Sequence, residues 1–224
     1  MKKIIKNLLI LLSYFLYEAI VLIIINALGI DVSKLNFIQK NIYLFVIDII
    51  YLVSLVFIYR KELKEDFKDF KENGSGYIFK YAPLYLLGVI LMGITNALLV
   101  KVTGMEMSTN EQNVRTLIKY YPLYMSFSSV MYAPIVEELI FRKSIKNLFN
   151  DNVLFVLMSG LIFGLIHVVG TGNEGINEIL MGIPYIIMGL DFAYIYAKTK
   201  NIFTTMTLHS IHNLTLLIIQ FIGG

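Results

Sequence analysis

Apolar runs long enough to cross a lipid bilayer recur along this chain from end to end, and they constrain its fold more than anything else in it. Seven such runs stand out: Leu8 to Leu28, Ile42 to Tyr59, Tyr77 to Val100, Pro122 to Phe149, Val153 to Val169, Ile176 to Tyr196 and Ile202 to Ile222. Each is near the roughly 20 residues that a helix needs to span the hydrocarbon layer. A segment in lipid must satisfy its own backbone hydrogen bonds, and no alternation of polar and apolar residues suggests a closed barrel. The expected fold class is therefore all-α, a polytopic membrane protein of about seven transmembrane helices in one bundle. Composition agrees: 57% of the 224 residues are hydrophobic, 16% are charged, and there is no Cys or Trp. Without cysteine, disulfides, thiolate metal ligands and a cysteine nucleophile are all excluded.

Lys2, Lys3 and Lys6 ahead of the first run have the look of a signal peptide, but the run is too long for one, contains Glu18 and leads into six more spans. Retention as a first transmembrane helix is the expectation. Basic residues gather in alternate connections: Lys2, Lys3 and Lys6, then Arg60, Lys61 and Lys64, then Arg142, Lys143 and Lys146, then Lys198 and Lys200. The bias predicts a cytoplasmic N-terminus in a multi-pass protein of the cell membrane. These cations are accounted for by topology and by contact with anionic bilayer lipid, so the net charge of +3 calls for no nucleic acid.

The chain reads as one membrane domain, residues 1–224, with no internal repeat. Arg60 to Asn73 is expected to be a helical cytoplasmic extension closed by a turn at Asn73-Gly74-Ser75-Gly76. Ser108 to Tyr120, with Val114, Leu117 and Ile118 at helical spacing, suits a short helix at the opposite interface. The pair Gly160 and Gly164 predicts close helix packing, and Gly182, Pro184 and Gly189 predict a loosened sixth span.

Ionisable groups inside a span are costly, so they mark candidate chemistry. The fourth run contains Glu137-Glu138-Leu139-Ile140-Phe141-Arg142. On a helix Glu138 and Arg142 stand one above the other, so Arg142 neutralises Glu138 and leaves Glu137 free to act as a general base. The fifth run offers Phe163 and His167 at i and i+4, and the seventh offers His209 and Asn213 at the same spacing. At ~1.5 Å rise per residue, Glu137, His167, His209 and Asn213 lie about 18, 22, 12 and 18 Å from the expected cytoplasmic helix ends, one stratum of the membrane. A carboxylate, two imidazoles and an amide at one depth form a hydrolytic site in which Glu and His activate water and Asn stabilises an oxyanion. The same His167, His209 and Glu137 could instead hold Zn2+, and the spacing does not choose. His212 ranks below its neighbours, as an interhelical hydrogen-bonding group. Glu18, Asp48 and Asp191 are isolated acids for which a hydrogen-bonded structural role is expected.

Glu137-Glu138-x-x-x-Arg142, Phe163-x-x-x-His167 and His209-x-x-x-Asn213, in that order on apolar helices, resemble the motifs of the CPBP (Abi, or CAAX protease) family of intramembrane endopeptidases, which has many bacterial members. The resemblance covers residues 108–224, the catalytic core it implies; residues 1–107 carry no recognised motif. It implies a hydrolase in which Glu137 activates water, His167 and His209 position water or metal, Asn213 orients the oxyanion, and Glu138 and Arg142 support the site. Metal-dependent and metal-free glutamate mechanisms both stay open. Lys143 departs from the Gly common after Phe-Arg in the family, and a snorkelling amine near the membrane surface is expected there. The implied substrate is a membrane-associated peptide or protein, with leader, bacteriocin or signalling-peptide processing as the analogy, and no substrate-binding residue is assigned. Two other classes fit buried Glu and His: a catalytically silent scaffold or regulator, and an ion or proton transporter. The first should have lost motif residues, and the second should show a continuous polar path and paired repeats.

Overall fold

The structure is a computed structural model describing residues 2–172 and 175–223, and among these residues it is all-helical, without strands. The protein is a multi-pass membrane bundle. Among the described residues four helical segments are long and apolar enough to cross a membrane: α1 (Lys2–Ala27), α2 (Phe37–Thr103), Ile176–Thr199 and the last helix (Ile202–Gly223). Their outward faces carry many exposed Leu, Ile and Phe side chains, such as Ile23, Phe57 and Leu98, as a lipid-facing surface requires.

The two expected spans on either side of the Arg60 to Asn73 stretch are one continuous helix of 67 residues, α2. Straight, it would reach about 100 Å, more than three times the hydrocarbon thickness. It folds back instead. Phe37, at its start, stacks on Tyr121; Tyr59 meets Asn7 and Ser144; Asp66 pairs with Lys143; and Thr103, at its end, contacts Met181 and Asn177. Only the short helix α3 (Thr109–Tyr120) separates Thr103 from Tyr121, so both ends of α2 lie on the face away from Lys2. The reversal falls between Asp69, held by Asn201, and Ile78, packed on the cluster of Met188, Phe192 and Ile195. Asn73-Gly74-Ser75-Gly76 lies in this interval, and Gly/Ser pairs are an ordinary cause of sharp helix bends. The expected non-helical turn is thus corrected to a bend within helical backbone.

At the bend the Asp69 carboxylate accepts from Asn73, Asn201 and Tyr77. These bonds, that of Asn73 foremost, hold its pKa below the ordinary aspartate range. The stabilisation is present above the unfolded pKa near ~4 and is lost as pH falls through the lower folded value. Asp69→Asn is expected to flatten the acid limb of a plot of thermal midpoint against pH, and an unchanged limb would disprove the clamp.

The fourth span is a rod of five consecutive pieces: α4 (Pro122–Phe127), a π segment (Ser128–Tyr132), α5 (Ala133–Glu137), a second π segment (Glu138–Ser144) and α6 (Ile145–Leu148). The fifth, α7 (Asn152–Ile166), is capped by Asp151 and ends before the expected Val169. The sixth is broken at Met181 and Gly182 into α8 (Ile176–Leu180) and α9 (Ile183–Thr199), where Pro184 occupies the first turn. The last is α10 (Ile202–Gly223).

Helices α7 and α9 pack antiparallel through their glycines. A Cβ on Gly160 would stand 2.6 Å from the Leu190 side chain, one on Gly164 would stand 2.1 Å from Ile186, and one on Gly189 would stand 2.8 Å from the Gly160 carbonyl. Gly164→Ala should therefore cost about 1–3 kcal/mol by overpacking. Gly76→Ala, with nothing within 4 Å, should be neutral or stabilising by up to about 1 kcal/mol. Thermal unfolding in detergent separates the two, and equal midpoints would contradict the close approach.

Candidate active site

The rod's irregularity begins at Pro134. In the first π segment the Ala133 N–H reaches back to the Ser128 carbonyl, and the next residue, Pro134, has no N–H to offer Ser129. The orphaned Ser129 carbonyl accepts from Asn213 Nδ2 of α10 at 2.9 Å. A buried carbonyl must find a donor, and here a side chain of another helix supplies it. One Asn213 N–H is therefore committed to backbone, about one helical turn from His209.

The second π segment is buried along its whole length. Glu138 and Arg142 are both fully enclosed, with Glu138 Oε2 3.3 Å from Arg142 Nε, an ion pair without hydrogen-bond alignment. Arg142 Nη1 donates to Ser159 Oγ at 3.0 Å, and the guanidinium lies 4.6 Å from the Phe163 ring centre. Glu138 has a second partner that helical spacing alone does not show: its Oε1 is 3.1 Å from His209 Nδ1. A carboxylate ionised by its arginine can only accept, so His209 Nδ1 must carry the proton and Nε2 is left with a lone pair. Phe192 stacks on the same imidazole at 5.0 Å, fixing its plane. The expected division of labour is sharpened: Glu138 answers Arg142 and also sets the tautomer of His209.

Glu137 stays accessible. Its side chain keeps 12% of its surface against none for Glu138, and its Oε2 lies 3.8 Å from His209 Nε2. His167 falls just past the end of α7, on the turn that follows, rather than inside a helix that runs to Val169. Its Nδ1 donates to the Phe163 carbonyl at 2.7 Å, which leaves Nε2 unengaged. Its ring stacks on Tyr185 at 4.6 Å and 13°, and Phe163 packs against both His167 and His209. The structure thus brings Glu137, Glu138, Arg142 and His209 into contact, sets His167 beside them, and ties Asn213 to the rod.

Of the other polar groups, His212 and Asp48 are as expected, and Lys143 and Asp191 are not. His212 meets the Tyr85 hydroxyl at 3.4 Å. Lys143 is not a snorkelling amine: it is buried and paired with Asp66 of the α2 bend. Asp48 is bonded by Tyr124 and Tyr132, as a structural acid should be, whereas buried Asp191 Oδ2 has no hydrogen-bond partner.

Residues 119–215 match the family of Rce1-like type II CAAX prenyl endopeptidases, a stretch that holds Glu137, His167, His209 and Asn213. The chain is 29% identical over 174 residues to the putative membrane peptidase YdiL of Bacillus subtilis, covering 75% of this chain and 67% of that protein. It is 25% identical over 147 residues to the UPF0177 protein YvdC of Lactococcus lactis, covering 65% of this chain and 52% of that protein. The likeness to the Rce1-like family covers less than half of the chain. No solved structure matches it.

Several residues at the site carry no signal in a single sequence. Tyr185, stacked on His167, also links it to α3 through a 3.0 Å contact with Ser108. Phe192 and Ser159 read as ordinary apolar and small residues, although an Arg142 without a neutral partner implies that some polar group must face it. Tyr14 of α1 packs edge-on against Phe141 at 5.0 Å and lies in electrostatic reach of Glu137.

His167, His209 and Glu137 have the right chemistry for zinc, but among the described residues no three His, Asp or Glu side chains converge at metal-holding distance. His209 Nδ1 is taken by Glu138 and His167 Nδ1 by the Phe163 carbonyl, which leaves each Nε2 as the nitrogen that a metal would take.

Proposed function

We propose that this protein is an intramembrane endopeptidase of the CPBP family, with its N-terminus in the cytoplasm, that hydrolyses a peptide bond in a membrane-associated peptide. The observation that carries the reading is the contrast between adjacent carboxylates: Glu138 is sealed between Arg142 and His209, while Glu137 is open and faces the free nitrogen of His209. A water resting against Glu137 and His209 Nε2 gives its proton to Glu137 and attacks the scissile carbonyl carbon. The resulting oxyanion is met by the Asn213 N–H not used by Ser129, and the proton passes to the leaving amine, for which His167 Nε2 is the second carrier. Two imidazoles oriented through their other nitrogens suit this work, because orientation is fixed before substrate arrives. Leader, bacteriocin and signalling peptides are the substrates favoured by analogy with peptidases of similar sequence.

The test is cleavage of candidate membrane peptides by purified, reconstituted protein, with Glu137→Ala and Glu138→Ala beside the wild type. Full activity in Glu137→Ala would sink the assignment. Each sample is repeated with a zinc chelator and with zinc restored. Indifference to the chelator supports the glutamate route, and loss reversed by zinc would replace it with a metal one.

A further inference from the structure

A concavity lies beside the site, between α1, α2 and the rod. Tyr14, Phe15, Tyr17 and Glu18 of α1, Tyr51 of α2 and Tyr132 of the rod line an open cavity of about 260 Å³. Two of the tyrosine hydroxyls are engaged: Tyr17 donates to the Ile47 carbonyl, and Tyr51 meets Ser13 Oγ at 2.9 Å. Their rings therefore remain as walls, Tyr17 and Tyr51 stacked at 4.2 Å. Glu18 also lines the cavity, exposed on the outer face of α1, and among the described residues no hydrogen bond or ion pair reaches it.

Glu18 lies about 24 Å along α1 from Lys2 and about 14 Å from Ala27, well inside the span. A carboxylate at that depth without a partner is costly, and a cation arriving from outside would relieve the cost. Aromatic faces around a carboxylate are the surroundings that bind an ammonium or guanidinium group, by charge and by cation–π attraction together. A lipid headgroup amine sits at the interface and does not reach this depth. A lysine or arginine within a membrane-embedded peptide does.

We infer that this tyrosine-walled cavity is a specificity pocket for a basic side chain of the peptide substrate. Tyr14 connects it to the site, since it lines the cavity and lies in electrostatic reach of both Glu137 and Glu18. Tyr132 and Glu137 are separated by roughly 7.5 Å along α5, about two residues of extended peptide at ~3.3–3.6 Å each. The basic residue is thus expected about two positions from the scissile bond. Naming that bond rests on the endopeptidase reading; the pocket itself does not.

Binding is therefore measured in the inactive Glu137→Gln protein in lipid nanodiscs, with a fluorescent apolar peptide bearing one lysine and its norleucine counterpart. The lysine peptide should bind at least about tenfold more tightly. Glu18→Gln in the same background should abolish the difference, and Glu18→Lys should reverse it in favour of a peptide bearing glutamate. Equal affinities, or a lysine preference that survives Glu18→Gln, would overturn the pocket. In the active protein, moving the lysine one residue at a time should give the highest kcat/KM at two residues from the cut. If wild type cleaves no peptide while the Glu18-dependent preference persists, the protease reading fails and the pocket stands.

Discussion

Glu137→Gln is expected to lower peptide cleavage by about 10²–10⁴-fold, the usual worth of a positioned general base, with little change in thermal midpoint. The two halves of this expectation have one origin. Glu137 keeps 12% of its side-chain surface and meets His209 at 3.8 Å, so removing its charge takes away a proton acceptor without opening the core. A midpoint that fell as far as activity would mean that Glu137 holds the bundle together, and activity that survived would move the base elsewhere.

Arg142→Ala should behave in the opposite way and unfold the protein before any question of catalysis arises. The guanidinium is wholly enclosed, paired with Glu138, bonded to Ser159 and laid against Phe163. Truncation leaves the Glu138 carboxylate buried without its cation, a change that typically costs about 3–5 kcal/mol. The large loss comes from breaking the pair, so Arg142→Met combined with Glu138→Gln should recover much of the stability. It should not recover activity, because a glutamine at 138 no longer dictates where His209 carries its proton. Thermal unfolding and cleavage measured on the three proteins test this, and a double variant as unstable as Arg142→Ala would refute it.

How much of this was legible in the sequence depended on the reach of each rule. Hydropathy located the spans because burial in lipid acts on every residue alike. It did not foresee that α2 would bend while remaining helical, since Gly74 and Gly76 signal a turn and a kinked helix in the same way. Helical spacing correctly paired Glu138 with Arg142, which lie on one segment. It could not find the 3.1 Å contact between Glu138 and His209, made between two helices whose rotation about their axes no local pattern records. The α-helical rise also passed over the π segments, where each turn takes in an extra residue at little cost in composition. His167 was placed inside a helix for a related reason: the apolar run continues through Val168 and Val169, whereas the helix stops at Ile166.

Pro134 carries a consequence for how the bundle is assembled. Because it withholds an N–H from Ser129, the rod exposes one acceptor on the side that meets α10, and Asn213 is the hook that takes it. The proline thereby decides the vertical register of one helix against another, and with it the height at which His209 comes to rest beside Glu137. An imino acid one turn from the chemistry works as a gauge block, setting the spacing of parts that it never touches.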